Sequence, residues 1–234
     1  MITHAPFSRG PYFVSSTVRQ YQLTLGRVKK ALSSLESLEC PMVRPVVYES
    51  RRLEFICGRL CAQRALQDIG IHDAEVQVAH DGSPIWPTGV VGSISHTDTF
   101  AAAAVVSSTE LRSIGVDSEK IVERQSVDTI RQECLTTRED AQLQSYLGAY
   151  DICVLCTLFF SAKESVWKAL YPVTQEFLEF RDVEIAAFDF STGNFRESNS
   201  PVASESLDAG HLGVGRFRVS GSFVHTSFEM EAEP

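Results

Sequence analysis

The residues 159–170 read FFSAKESVWKAL, an apolar stretch broken by Lys163, Glu164 and Lys168. Glu164 and Lys168 are four apart, so a helix carries them on one face, with Lys163 at its edge. An exposed i,i+4 ion pair would explain them, and so would a capping box, since Ser161-x-x-Glu164 has the right spacing. The apolar run ICVLCTLFF upstream favours a helix already under way, which leaves Glu164 as a carboxylate close to a core. Asp117 and Glu119 form a second acidic pair. They are two apart in SIGVDSE, and a pleated strand sends such residues to the same side while Val116 and Ser118 face the other way. Like charges held side by side are unfavourable without a cation. A strand end with solvated acids is the competing reading.

If the helix packs beside the strand, three hard oxygen ligands converge, a set that suits magnesium, which keeps waters and takes further oxygens from substrate phosphates. Lys163 and Lys168 would then balance a polyphosphate. More positive charge lies in YESRRLEFICGRLCAQRALQDIG, where Leu53, Ile56, Leu60 and Ala65 repeat near helical spacing and Gly70 ends the run. This predicts a helix over 49–69. Arg52 and Arg59 share one of its faces, flanked by Arg51 and Arg64, as a phosphate strip or as a solvated arginine face.

The elements that must position these residues follow from local signals. DGSPIWP carries turn residues, and VVGSISH, FAAAAVV and SIGVDSE are short β-compatible runs that suggest an antiparallel meander. Thr136 and Glu139 fit a capping box opening a helix over 137–148, and Asp151 can cap the helix that ends in the charged segment. Residues 191–215, rich in Ser, Asn and Gly, read as a loop or poorly ordered insertion, and a single strand is expected near 216–228. Helix-then-meander followed by helices-then-strand suggests two similar α+β halves meeting near 107–112.

Composition limits the classes. The chain has 234 residues, 44% hydrophobic and 22% charged, which suits one large or two small globular domains. A net charge of -9 argues against non-specific binding to nucleic acid or anionic membrane. The N-terminal MITHAPFSRGPYFV lacks the apolar run of a secretory signal, so a cytoplasmic location is expected. Six cysteines in that compartment should be thiols, with Cys57, Cys61, Cys153 and Cys156 packing cores, although Cys153-x-x-Cys156 also has the spacing of a redox or zinc half-site.

GSISH at 92–96, GVDSE at 115–119 and FSAKESVWKAL at 160–170, in this order, resemble the 4'-phosphopantetheinyl transferases, most of all the enterobactin-synthetase-activating type, which shares WP before GSISH. The resemblance spans about 50–185. It implies two α+β subdomains related by pseudo-twofold symmetry, each a small antiparallel sheet packed with helices, over 1–108 and 109–234, with the active site between them. It implies transfer of the phosphopantetheine arm of coenzyme A to a carrier-protein serine, releasing 3',5'-adenosine bisphosphate. On this likeness Asp117, Glu119 and Glu164 would bind magnesium, with Asp117 also at the nucleotide's pyrophosphate. Glu164 would be the base for the serine, and Lys168, with Lys163, would stabilise the leaving phosphate. His96 beside Ser95 would hold the 3'-phosphate, and Arg51 and Arg59 would contact nucleotide phosphates.

Two positions depart from the family pattern. Ser118 stands where relatives carry an apolar residue, and Ser83 precedes Pro84 where they often carry a nucleotide-contacting one. The partners implied are acyl, peptidyl or aryl carriers of nonribosomal peptide or siderophore synthases, polyketide synthases being a further class. The enzyme would act as a monomer. The same acids would also serve a metal-dependent phosphohydrolase acting on a nucleotide phosphate ester.

Overall fold

The computed structural model describes residues 8–12, 14–26, 49–198 and 213–232. It divides into two compact units, Met1–Pro11 with Ser16–Ser108 and Tyr12–Ser15 with Thr109–Pro234. Among the described residues, the first packs one helix and the second several against an antiparallel sheet, an α+β architecture.

In the first unit, strands β1 (Ser8–Arg9), β2 (Arg19–Thr24), β5 (Val90–His96) and β6 (Phe100–Ser107) form one sheet in the order β1-β2-β6-β5. The central β6 is small and apolar throughout, and Ala101–Val106 are fully buried because both faces of the strand are covered. Helix α1 (Glu49–Asp68) lies on this sheet, burying Cys57, Cys61, Ala65 and Leu66 against Leu23, Ala103 and Val105. The turn signals in DGSPIWP hold: Ser83 donates through both N and Oγ to Asp81 Oδ1, Gly82 takes φ +91, and the short pair β3 (Gln77–Val78) and β4 (Pro84–Ile85) closes around them. Strands β1 and β2 were not expected.

In the second unit, β7 (Leu111–Lys120), β8 (Glu184–Asp189), β9 (Asn194–Ser198), β10 (Val214–Ser220) and β11 (Phe223–Glu231) form a five-stranded sheet in the order β7-β11-β10-β9-β8. Helices α2 (Val127–Cys134) and α3 (Thr137–Tyr146) flank α4 (Ile152–Thr174), which packs across β7 and β11. Both expected caps are present. Thr136 and Glu139 exchange side-chain and backbone hydrogen bonds at the start of α3, and the Asp151 carboxylate accepts from Cys153 N and Val154 N, each cap contributing about 1 kcal/mol.

Three expectations need correction. The meander does not run through SIGVDSE: β5 and β6 pair with each other, whereas β7 pairs with β11, a partner more than a hundred residues away. The expected single strand at 216–228 is the hairpin β10–β11, turning at Gly221 with φ +59. The segment 191–215 contains β9, whose Phe195 joins Phe188, Phe217 and Phe228 in the aromatic core; residues 199–212 lie outside the described residues. No helix among the described residues is long and apolar enough to cross a membrane.

Candidate functional site

The acidic cluster depends on a close approach of helix to strand. Gly115, Asp117 and Glu119 share one face of β7, and their opposites on β11, Phe228, Thr226 and Val224, share it too. A Cβ at Gly115 would stand 1.8 Å from the Ser165 carbonyl oxygen and 2.7 Å from Ala169 N, so only glycine lets α4 settle against the strand here. Thr157, Ser161, Glu164 and Lys168 succeed one another at helical spacing along α4, and Thr157, Ser161 and Lys168 bond to β7 or the residues that follow it.

Asp117 is almost fully buried. Its Oδ1 accepts from Lys168 Nζ at 2.6 Å, and its Oδ2 accepts from Ser161 Oγ at 2.7 Å. Glu164 Oε2 lies 3.9 Å from the same ammonium. Burial pushes the Glu119 carboxyl up to about 7, the Asp117 charge adding to it and Lys168 opposing it. Burial likewise raises Glu164. Lys168 loses hydration, which disfavours its charge, but Asp117, Glu164 and Glu119 outweigh this and raise its pKa. Asp117 and Glu164 therefore lie within 4 Å of one ammonium, and the Glu119 carboxyl is near enough for its charge to act on it.

Among the described residues, no three His, Cys, Asp or Glu side chains stand ready as a metal cage, and Lys168 Nζ lies 2.6 Å from Asp117 and 3.9 Å from Glu164. The donor set still fits magnesium. That ion is seldom held by an all-protein cage and draws on one or two carboxylates plus substrate phosphates.

Lys163 departs from its expected role. It is 1% exposed, its ammonium 2.7 Å from Glu139 Oε2, and it donates to Phe180 O at 2.8 Å and Val183 O at 2.6 Å. All three of its N–H donors have partners inside the unit, so its ammonium is committed to Glu139 and two backbone carbonyls. Glu139, fully buried, also accepts from Thr136 N and Ile185 N. Lys163 is thus a structural residue that ties α4 to α3 and to the segment preceding β8.

Other expected site residues lie in the first unit. His96 Nδ1 stands 3.4 Å from Glu54 Oε2, and Arg51 Nη1 is 3.2 Å from the same oxygen, so Glu54 holds both. Ser95 is buried beside His96. Arg59 lies over the Phe55 ring at 4.8 Å; its buried Nε has no hydrogen-bond partner among the described residues, and burial lowers its pKa.

Ser118 turns to the opposite face of β7 from the acids, as its strand position requires. Its hydroxyl meets Tyr12 OH and His225 Nδ1, each at 2.9 Å, and burial drops His225 to about 4, so the imidazole is neutral. Sequence reasoning missed Glu54, Glu139 as an ion-pair partner, Tyr12, Thr226 and His225. Only Glu54, one turn from Arg51, had a local signal. The described cysteines are free thiols, and burial raises Cys57 and Cys156 to about 11, which keeps both protonated and fits core packing.

Beside Glu164 a groove of about 340 Å³ is lined by Trp167, Phe177, Leu178, Phe180 and the charged Glu133, Lys163 and Glu179. Phe177 is 80% exposed, and the buried Trp167 Nε1 has no hydrogen-bond partner among the described residues.

Residues 28–106 match a family model described as the 4'-phosphopantetheinyl transferase N-terminal domain, and residues 113–220 match the 4'-phosphopantetheinyl transferase superfamily. The 4'-phosphopantetheinyl transferase Npt of Nocardia iowensis is 34% identical over 168 residues, covering 71% of this chain and 72% of its own length. PptT of Mycobacterium tuberculosis, of the same description, is 32% identical over 160 residues, or 66% of each chain. Enterobactin synthase component D of Salmonella typhimurium is 36% identical over 119 residues, 51% of this chain and 48% of its own.

Proposed function

The chain belongs to the 4'-phosphopantetheinyl transferase superfamily and transfers the phosphopantetheine of coenzyme A to carrier proteins, and on that premise we propose that Asp117, Glu119 and Glu164 hold a catalytic magnesium ion. The observation that carries this is the pairing of Asp117 and Glu164 with the Lys168 ammonium, with Glu119 electrostatically coupled to all three and both glutamates raised by burial. Bound there, magnesium would neutralise the coenzyme A pyrophosphate and make its phosphorus a better electrophile.

In this reading the carrier serine oxygen attacks the pantetheine-side phosphorus, and the bond to the bridging oxygen breaks. The serine proton passes to Glu164, directly or through water, and 3',5'-adenosine bisphosphate departs. A raised pKa suits Glu164 to that task, since a base works best when its pKa approaches the operating pH. Lys168, whose charge is reinforced by its acidic neighbours, steadies the negative charge on the leaving phosphate. Arg51, Arg59, Ser95 and His96 bind the nucleotide's phosphates, Arg59 with a buried donor to spare. The groove beside Glu164 takes the uncharged pantetheine arm.

Likeness to enterobactin synthase component D supports carriers of siderophore or nonribosomal peptide assembly. The net charge of -9 supports a protein that binds neither nucleic acid nor anionic membrane non-specifically, and a monomer in the cytoplasm completes the proposal.

Mass spectrometry of apo carriers incubated with coenzyme A, magnesium and this protein tests the reading. We expect one phosphopantetheine added per carrier, lost in a folded Glu164→Gln variant and on chelation. Adenosine bisphosphate released without any carrier would instead identify a phosphohydrolase, and full turnover by Glu164→Gln would remove that residue from the chemistry.

A further inference from the structure

The hydroxyls along α4 do not all behave alike. Thr157, Ser165 and Thr174 each donate back to a carbonyl one turn earlier, Cys153 at 2.7 Å, Ala162 at 2.8 Å and Leu170 at 3.2 Å, as serine and threonine inside helices commonly do. Ser161 breaks the habit. Its Oγ leaves the helix and donates to Asp117 Oδ2 at 2.7 Å, in a region where Ser161, Asp117 and Thr226 are all buried.

Proton counting fixes the direction of this chain. An ionised carboxylate only accepts, so the single Ser161 hydroxyl proton goes to Asp117. A carbonyl also only accepts, so the single Thr226 proton goes to the Ser161 carbonyl oxygen at 2.7 Å. With both protons so placed, the 2.9 Å approach of the two hydroxyl oxygens is a contact and not a further hydrogen bond, and Thr226 steadies Ser161 through its backbone carbonyl. Thr226 sits directly opposite Asp117 in the β7–β11 register, so β11 grips the helix at the same level where the helix grips Asp117.

We propose that Ser161 and Thr226 are positioning residues that lock the Asp117 carboxylate, holding Oδ2 so that Oδ1 alone is presented to the cation. The proposal rests on the reading of Asp117 as a metal ligand. Without Ser161, the buried Oδ2 loses the hydroxyl that meets it at 2.7 Å. Residues that orient a metal's ligands typically matter by about 10–100-fold in metal affinity or activity. Sequence reasoning had weighed Ser161 only as a helix cap.

The test is electron paramagnetic resonance of Mn2+ titrated into the full chain with coenzyme A present, corrected by a control without protein. Ser161→Ala is expected to weaken Mn2+ binding about tenfold while circular dichroism is unchanged. Thr226→Val should weaken it in the same direction, and Thr226→Ser, which keeps the hydroxyl, should restore it. Equal Mn2+ affinity in Ser161→Ala and the unaltered protein would overturn the lock, as would Thr226→Ser binding as weakly as Thr226→Val. Should Ser161→Ala fail to fold, the two Thr226 variants decide. Absence of Mn2+ binding in the unaltered protein would overturn the metal reading itself, and the lock with it.

Discussion

Replacing Gly115 by alanine adds one methyl group at the tightest helix–strand approach beside the acidic cluster. The new Cβ would start 1.8 Å from the Ser165 carbonyl oxygen, and ordinary contact begins near 3.4 Å, so β7 and α4 must part by about 1.6 Å. Neither neighbour can flex out of the way, because both contacting atoms, Ser165 O and Ala169 N, are backbone. Overpacking of this kind costs roughly 1–3 kcal/mol. At about 2–4 °C per kcal/mol for a chain of this size, Tm should fall by roughly 2–12 °C. The effect on catalysis is larger, since Asp117 and Glu119 ride on the strand and Glu164 and Lys168 on the helix. A displacement of about 1 Å at such a site costs on the order of a hundredfold in rate. Differential scanning calorimetry and carrier modification followed by mass spectrometry measure the two effects. A variant with unaltered Tm and turnover would refute the close packing from which the acid cluster is built.

Lys163→Met should lower Tm by roughly 6–20 °C, because the buried Glu139 loses its counter-ion, a change worth about 3–5 kcal/mol. A thermally normal variant with a raised KM for coenzyme A would instead return Lys163 to a phosphate-binding role. Glu119 gives a pH signature in metal-free protein. Its folded pKa, about 7, lies above the ordinary 4.5, so the folded state keeps a proton that the unfolded chain releases, and stability falls as pH rises through that interval. Glu119→Gln has no such proton, so its Tm advantage should be larger at pH 8 than at pH 5 in the presence of a chelator; an equal difference at both would refute the shift. Because metal binding requires the ionised acid, Mn2+ affinity of the unaltered protein should drop as pH falls below about 7. A flat profile from pH 8 to pH 6 would count against Glu119 as a ligand.

What could be read from the chain beforehand was local chemistry. The helix expected over 49–69 is Glu49–Asp68, and the caps at Thr136 and Asp151 form as their spacing requires, because each is decided within one helical turn. Pairing between strands is decided by distant residues, and there the reading failed. Nothing in SIGVDSE marks it for β11 rather than for the neighbouring FAAAAVV, and β8 and β9 have weak patterns that only the aromatic core makes sense of. The three acids were legible by type and spacing. The direction of Lys163 was not, since adjacent residues on a helix point about 100° apart and its partner Glu139 had already been assigned to a cap. Thr226 was invisible for the same reason as β11, its place being set by register alone.

The most direct test of the account is a crystal of this protein grown with coenzyme A and Mn2+, read at the manganese absorption edge. A single anomalous peak bonded to oxygens of Asp117, Glu119 and Glu164 and to the coenzyme A pyrophosphate is the predicted result. A peak elsewhere, or pyrophosphate bound with no metal while Lys168 stays on Asp117, would contradict it.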